Sequence, residues 1–205
     1  VKSYKKYKNH ILNDAKIQLK RHLGQDAKFT RNNSYIYSKN TAYNTLEDYV
    51  VLLFPFRKEK EVRWFFDKLL LSKDPMIKST YAALLAKTNS IIPNGIIDSL
   101  ATNPKSRKLL FDKLIKINRL TFFPKKYSTQ KSLSESAIHI KNSYNTNRYT
   151  IKFVAEKNME YRGKNYVGYF YKYEEEKTYN PASKMYLLVY DKVKKIGAKP
   201  FYENK

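Results

Sequence analysis

The sequence predicts an α+β chain in which helical hairpins stack as an α-solenoid and a small antiparallel β segment follows. Three observations carry this prediction. The dipeptides Asp74-Pro75 and Asn103-Pro104 recur at an offset of 29 residues, each opening an apolar run of helical period. At the same offset, Leu85, Lys87 and Asn89 answer to Leu114, Lys116 and Asn118. After Ser143 the apolar period drops from 3.6 to 2, which marks the change from helix to strand.

The elements follow in chain order. Residues 1–9 are polar and Lys-rich and read as a solvated arm. Ile11, Leu12, Ala15, Leu19 and Leu23 then recur at helical spacing, with Gly24 as a C-terminal cap. Residues 25–39 have no period, and Asn32-Asn33-Ser34 reads as a turn. Thr45 with Asp48 resembles a capping box, Leu46, Val50 and Leu53 form a stripe, and Pro55 stops that helix. The next helix spans about 59–71, with Val62, Phe65, Phe66, Leu69 and Leu70 on one wide apolar face.

Asp74-Pro75 and Asn103-Pro104 each open the second helix of a hairpin. Asp or Asn at the N-cap accepts an orphan amide, and Pro at the first helical position needs no donor. The hairpins are therefore 59–72 with 75–88 and 94–102 with 104–119, separated by a break at Pro93-Asn94-Gly95. A period near 30 with two helices per unit indicates a solenoid, because neither hairpin can bury its apolar face alone. The helices at 10–23 and before Pro55 would be partial or capping repeats.

Beyond Ser143, the runs from Tyr149 to Val154, Tyr166 to Tyr173 and Met185 to Tyr190 predict three antiparallel strands. Gly163-Lys164-Asn165 would turn the chain between the first two, and Glu174-Glu175-Glu176 to Pro181 would form the longer loop. The predicted organisation is 1–39 as basic arm and first helix, 40–142 as helical-repeat domain, and 143–205 as Tyr-rich β segment.

Composition narrows the function classes. With 42% hydrophobic and 29% charged residues, the chain falls on the folded side of the balance between burial and charge. The 41 Lys and Arg against 18 Asp and Glu give +23, a field that attracts nucleic acid, anionic lipid or acidic polysaccharide. Most of this excess is Lys, which lacks the bidentate geometry of Arg, and enrichment in Lys, Asn, Ile and Tyr also follows from A/T-rich coding. The sequence leaves both origins of the charge open. There is no Cys, so disulfides and thiolate metal sites are excluded, and no apolar run is long enough for a transmembrane helix. The chain reads as soluble or peripheral to a membrane. It begins Val1-Lys2-Ser3, as a mature or trimmed product would, and a removed signal or lipid anchor would leave no trace.

No catalytic, cofactor or metal residues are predicted. His10, His22 and His139 are scattered and read as surface or helix-end residues, and the five Gly form no phosphate cradle. Glu174-Glu175-Glu176 reads as a solvated acidic loop. The candidate polyanion contacts are Lys5, Lys6, Lys8, Lys20 and Arg21, with Lys105, Arg107 and Lys108 in the first turn after Asn103-Pro104. The candidate partner-binding platform is aromatic: Tyr169, Tyr171, Tyr173, Tyr186 and Tyr190, with alternation placing one set in the core and the other under helices or a partner.

The stretch Leu120-Thr121-Phe122-Phe123-Pro124-Lys125-Lys126-Tyr127-Ser128-Thr129-Gln130, followed by Leu133 and Ser136, looks like a motif that closes helical arrays ahead of a β segment. Together with the 29-residue repeat, residues 45–140 resemble HEAT-like helical repeats of bacterial proteins. The resemblance implies a helical-repeat scaffold, with cell-envelope proteins of Bacteroidota-like bacteria as its setting, and brings no catalytic residues. The leading expectation is thus a non-catalytic protein–protein interaction module, a subunit of a larger assembly. The alternative is a nucleic-acid or other polyanion-binding protein.

Overall fold

A computed structural model describes residues 2–29, 41–141, 149–175, 183–191 and 202–203. It is an α+β chain: helices occupy the first two thirds and an antiparallel sheet follows.

Helix α1 (Lys2–Phe29) is longer than predicted at both ends. The Lys-rich residues read as an arm are helical, and the helix continues through Gly24 instead of ending there. Lys, Leu, Gln and Ala are strong helix formers, and one Gly costs a helix only about 1 kcal/mol. A Cβ at Gly24 would meet nothing within 4 Å, so no close approach requires glycine there. Leu12, Ala15, Leu19 and His22 form the buried stripe of α1. The buried His22 corrects the surface reading: its Nε2 lies 2.7 Å from Ser72 Oγ.

Helix α2 (Thr41–Leu53) begins four residues before the predicted capping box, so Thr45 is helical and not a cap. Its stripe of Leu46, Val50 and Leu53 is buried, and Pro55 lies in the 3-10 turn that ends the run. Helix α3 (Lys60–Leu69) buries Val62, Phe65, Phe66 and Leu69 as its spacing predicts. It meets α4 (Pro75–Lys87) through Phe66 stacked on Tyr81, ring centroids 4.7 Å apart.

The segments with matching sequence adopt matching backbone features at their ends. Helices α4 and α6 (Pro104–Lys116) each run 13 residues, with the short α5 (Ile96–Thr102) between them. At their starts, the Asp74 side chain accepts from Met76 N at 2.8 Å and the Asn103 side chain from Lys105 N at 2.9 Å. At their ends, Asn89 and Asn118 adopt φ of 51° and 57°. The next amides then reach back, Ser90 N to Leu85 O at 2.9 Å and Arg119 N to Leu114 O at 2.8 Å. This is the left-handed cap in which Asn is the usual alternative to Gly. The paired Leu and Asn of the sequence repeat are thus two copies of one helix ending.

Helix α1 packs on α2 and α3, α2 on α4, α4 on α6, and α6 on α7 (Gln130–Lys141), while α5 bridges α4 and α6. One apolar core joins α1 to α4 around Phe65, Phe66, Leu46 and Leu53. A second gathers Leu110, Phe111, Leu114, Phe123 and Leu133. In the stretch 120–130, Phe123 is buried while Leu120 and Phe122 stay exposed.

Strands β1 (Tyr149–Tyr161), β2 (Lys164–Glu175), β3 (Ser183–Asp191) and β4 (Tyr202–Glu203) form one antiparallel sheet in chain order. The first turn is Arg162-Gly163, both at positive φ (51° and 71°), and not Gly163-Lys164-Asn165. A two-residue turn of that hand matches the strand twist, which lets Tyr161 pair with Lys164. Val154 forms a bulge between Phe153 and Ala155. Glu174 and Glu175 belong to β2, not to the predicted loop, whose remainder at 176–181 lies outside the described residues.

Candidate functional site

The sheet docks on α7 through its tyrosines. Val167, Tyr169, Tyr171 and Tyr173 alternate onto one face of β2 and are buried with Ile138 and Leu188. The Tyr171 hydroxyl lies 2.7 Å from Ser134 Oγ and donates to the Lys131 carbonyl at 2.8 Å. Burial raises its phenol pKa, and burial followed by the nearby Glu156 does the same at Tyr169. Tyr169, Tyr171 and Tyr173 are therefore core residues and not the predicted partner platform. Their face is the one that α7 covers. Tyr186 and Tyr190 stand opposite Tyr171 and Val167 in the β2–β3 register, and their side chains lie outside the described residues.

The predicted anion site at the start of α6 is also consumed. Arg107 is 4% exposed. Its Nε donates to the Ala101 carbonyl at 2.8 Å, Nη2 to Thr102 O at 3.0 Å, and Nη1 to Ser132 O at 2.9 Å and Glu135 at 2.8 Å. The guanidinium also lies 5.1 Å from the Tyr127 ring centroid. One side chain caps the C-terminus of α5 and clamps α7, with Glu135 balancing its charge. Lys108 pairs with Asp112 at 2.5 Å, and its amide donates to Ser136 Oγ at 2.9 Å. Lys105 stays exposed, with its ammonium 5.6 Å from the Tyr149 ring centroid.

Beside this clamp lies the half-buried His139, whose ring is 5.8 Å from that of Tyr149 and whose Nδ1 has no hydrogen-bond partner among the described residues. Burial pushes its pKa down to about 4; Glu135 opposes the shift, and Lys105 and Arg107 add to it. His139 lies in the last turn of α7, which agrees with its reading as a helix-end residue. His10 is exposed as predicted.

On α1, Lys6, Lys20 and Arg21 are exposed, Lys8 is ion-paired with Glu59, and the Lys5 side chain lies outside the described residues. Glu174 is held by Lys172 at 2.5 Å and by Lys152 at 3.8 Å, a balanced surface cluster.

The sequence reading passed over a groove between α1 and α3. It encloses about 660 Å³ and is lined by Lys16, Lys60, Glu61, Arg63, Trp64 and Asp67. Trp64 is the only tryptophan of the chain and is 47% exposed, with the Lys16 ammonium 5.6 Å from its ring centroid. A signal for it exists in the sequence, since Trp64 is the one aromatic of α3 that falls off the Val62, Phe65, Phe66, Leu69 face. The groove combines a π-surface, three cations and two carboxylates, which suits it to binding. Among the described residues no three His, Asp or Glu side chains cluster as a metal site. No described helix is long and apolar enough to cross a membrane.

Compared with protein-family models, curated proteins and solved structures, the chain matches none. Its class rests on its own geometry: an α+β chain of successively packed helices closed by an antiparallel sheet.

Proposed function

We propose that this chain is a non-catalytic scaffold, a HEAT-like α-solenoid that binds another protein as a subunit of a larger, cell-envelope assembly. The observation that carries the reading is the equivalence of α4 and α6, which share length, N-cap, C-cap and sequence offset while packing on one another. Like-built neighbours of this kind stack into extended surfaces suited to macromolecular partners. The positions just past the two C-caps, Ile91 and Leu120, are both exposed, Ile91 at 94%. Bare aliphatic side chains at matching places are candidate anchors for a partner.

The test is affinity purification of the tagged chain from its native source after nuclease treatment, beside an Ile91→Asp/Leu120→Asp variant of unchanged circular dichroism. A stoichiometric protein partner retained by the parent and lost by the variant supports the scaffold. Recovery of the chain alone overturns it.

A second reading, polyanion binding, is supported by one contrast. Arg107 and Lys108 are spent on internal partners, whereas Lys6, Lys20 and Arg21 of α1 project into solvent.

A further inference from the structure

We propose that the groove between α1 and α3 binds single-stranded nucleic acid, with one base stacked on Trp64. This rests on the polyanion reading and is independent of the scaffold.

The ring comes first. Trp64 offers the largest aromatic face a side chain can, along an open groove, and it is half in solvent although its neighbours Phe65 and Phe66 are buried. Every nucleobase has a π-face, and stacking on an aromatic side chain contributes about 1–3 kcal/mol per base. In a duplex those faces are hidden, so a strand with unstacked bases is the form that fits.

The cations supply the second element. Lys16, Lys60 and Arg63 line the groove around the ring, and exposed Lys20, one turn on from Lys16, continues the basic surface along α1. The Lys16 ammonium now rests over the indole. A base taking that place releases a flexible ammonium to a backbone phosphate. The +23 charge of the chain steers any nucleic acid toward it.

The two carboxylates select among anions. Glu61 and Asp67 repel a ligand that is only negative, such as heparin or an anionic lipid headgroup. Ionised carboxylates accept hydrogen bonds only, and the exocyclic amino group of cytosine donates to them. Thymine presents no amino group, and its one donor, the imide N3–H, lies between two carbonyl oxygens that a carboxylate repels. The lining therefore favours an oligonucleotide of cytosine over one of thymine.

Because the chain has a single tryptophan, its emission reports this groove alone. The full chain is titrated with fluorescein-labelled oligo(dC) and oligo(dT) of about 12 nucleotides, a length within single-strand site sizes. Anisotropy follows total binding and tryptophan emission follows the groove. Oligo(dC) is expected to quench Trp64 in step with the anisotropy and to bind more tightly than oligo(dT). Trp64→Ala is expected to weaken binding by roughly 10-fold while Trp64→Phe retains most of it. Asp67→Asn is expected to narrow the preference for cytosine. Anisotropy without quenching places the nucleic acid elsewhere and overturns the groove while leaving the polyanion reading standing. Equal quenching by heparin overturns base stacking. Absence of binding in either channel at low salt overturns both.

Discussion

Glu47 and Lys113 are 66 residues apart in sequence, and their carboxylate and ammonium are 2.7 Å apart in space. The same Glu47 oxygen accepts from Thr80 Oγ1 at 2.5 Å. One carboxylate on α2 thus ties together α4 and α6, the two equivalent helices of the repeat.

This tie gives a graded prediction. The pair is about one quarter exposed on each side, so its ionic part is modest. Glu47→Gln, which keeps an acceptor for Thr80, is expected to cost less than about 1 kcal/mol, and Glu47→Ala about 1–2 kcal/mol. Urea unfolding of Glu47→Ala, Lys113→Met and the double variant closes the cycle. Strict additivity would mean that the contact contributes nothing to joining the helices.

The two caps should differ although the repeat makes them equivalent. Asp74 is buried and its own amide donates to Ser72 Oγ at 3.0 Å, whereas Asn103 is exposed. Asp74→Ala is expected to cost about 2 kcal/mol and Asn103→Ala about 1 kcal/mol, the upper and middle of the range for N-caps. Denaturant midpoints of the two variants check the order. A larger loss at Asn103 would contradict it.

What the sequence made legible was local. Asp74-Pro75, Asn103-Pro104 and the left-handed Asn89 and Asn118 act within a few residues of themselves, so the starts and ends of α4 and α6 could be read. The arm before His10 was misread because a run of Lys has no apolar period, although Lys is a good helix former. Arg107 was illegible because its acceptors, the Ala101, Thr102 and Ser132 carbonyls, converge only after α5, α6 and α7 have packed. Alternation put Tyr169, Tyr171 and Tyr173 on one face, but which face the helices cover depends on Ser134, 37 residues before Tyr171. The change of apolar period after Ser143 marked helices followed by strands; the groove at Trp64 needed α1 and α3 side by side.

The sheet should be sensitive to one oxygen atom. Tyr171→Phe removes the bonds to Ser134 Oγ and the Lys131 carbonyl, which keep each other as partners, so the expected cost is that of a hydrogen bond whose partners stay satisfied, about 0.5–1.5 kcal/mol. Amide exchange in β2 is expected to quicken relative to that in α4. Unchanged exchange in the Tyr171→Phe variant would show that apolar packing alone holds the sheet on α7.

The last expectation concerns pH. His139 has a folded-state pKa of about 4 against about 6.5 when exposed, so between these values the unfolded chain binds the proton that the folded chain refuses. The contribution of His139 to folding stability is therefore complete above pH 6.5 and is lost as the pH drops through 4, on the order of 3 kcal/mol in all. Glu135 on α7 opposes the depression, Lys105 and Arg107 on α6 add to it, and Tyr149 on β1 packs against the ring. His139→Phe keeps a ring in that place without a titrating nitrogen. The difference in stability between parent and variant, measured by urea unfolding at several pH values from 7 to 3, is expected to slope through this window and flatten below it. Removing the opposing carboxylate by Glu135→Gln should steepen the loss. A parent-minus-variant curve that is level from pH 7 to 4 would mean that His139 takes up its proton as freely in the folded chain as in the unfolded one.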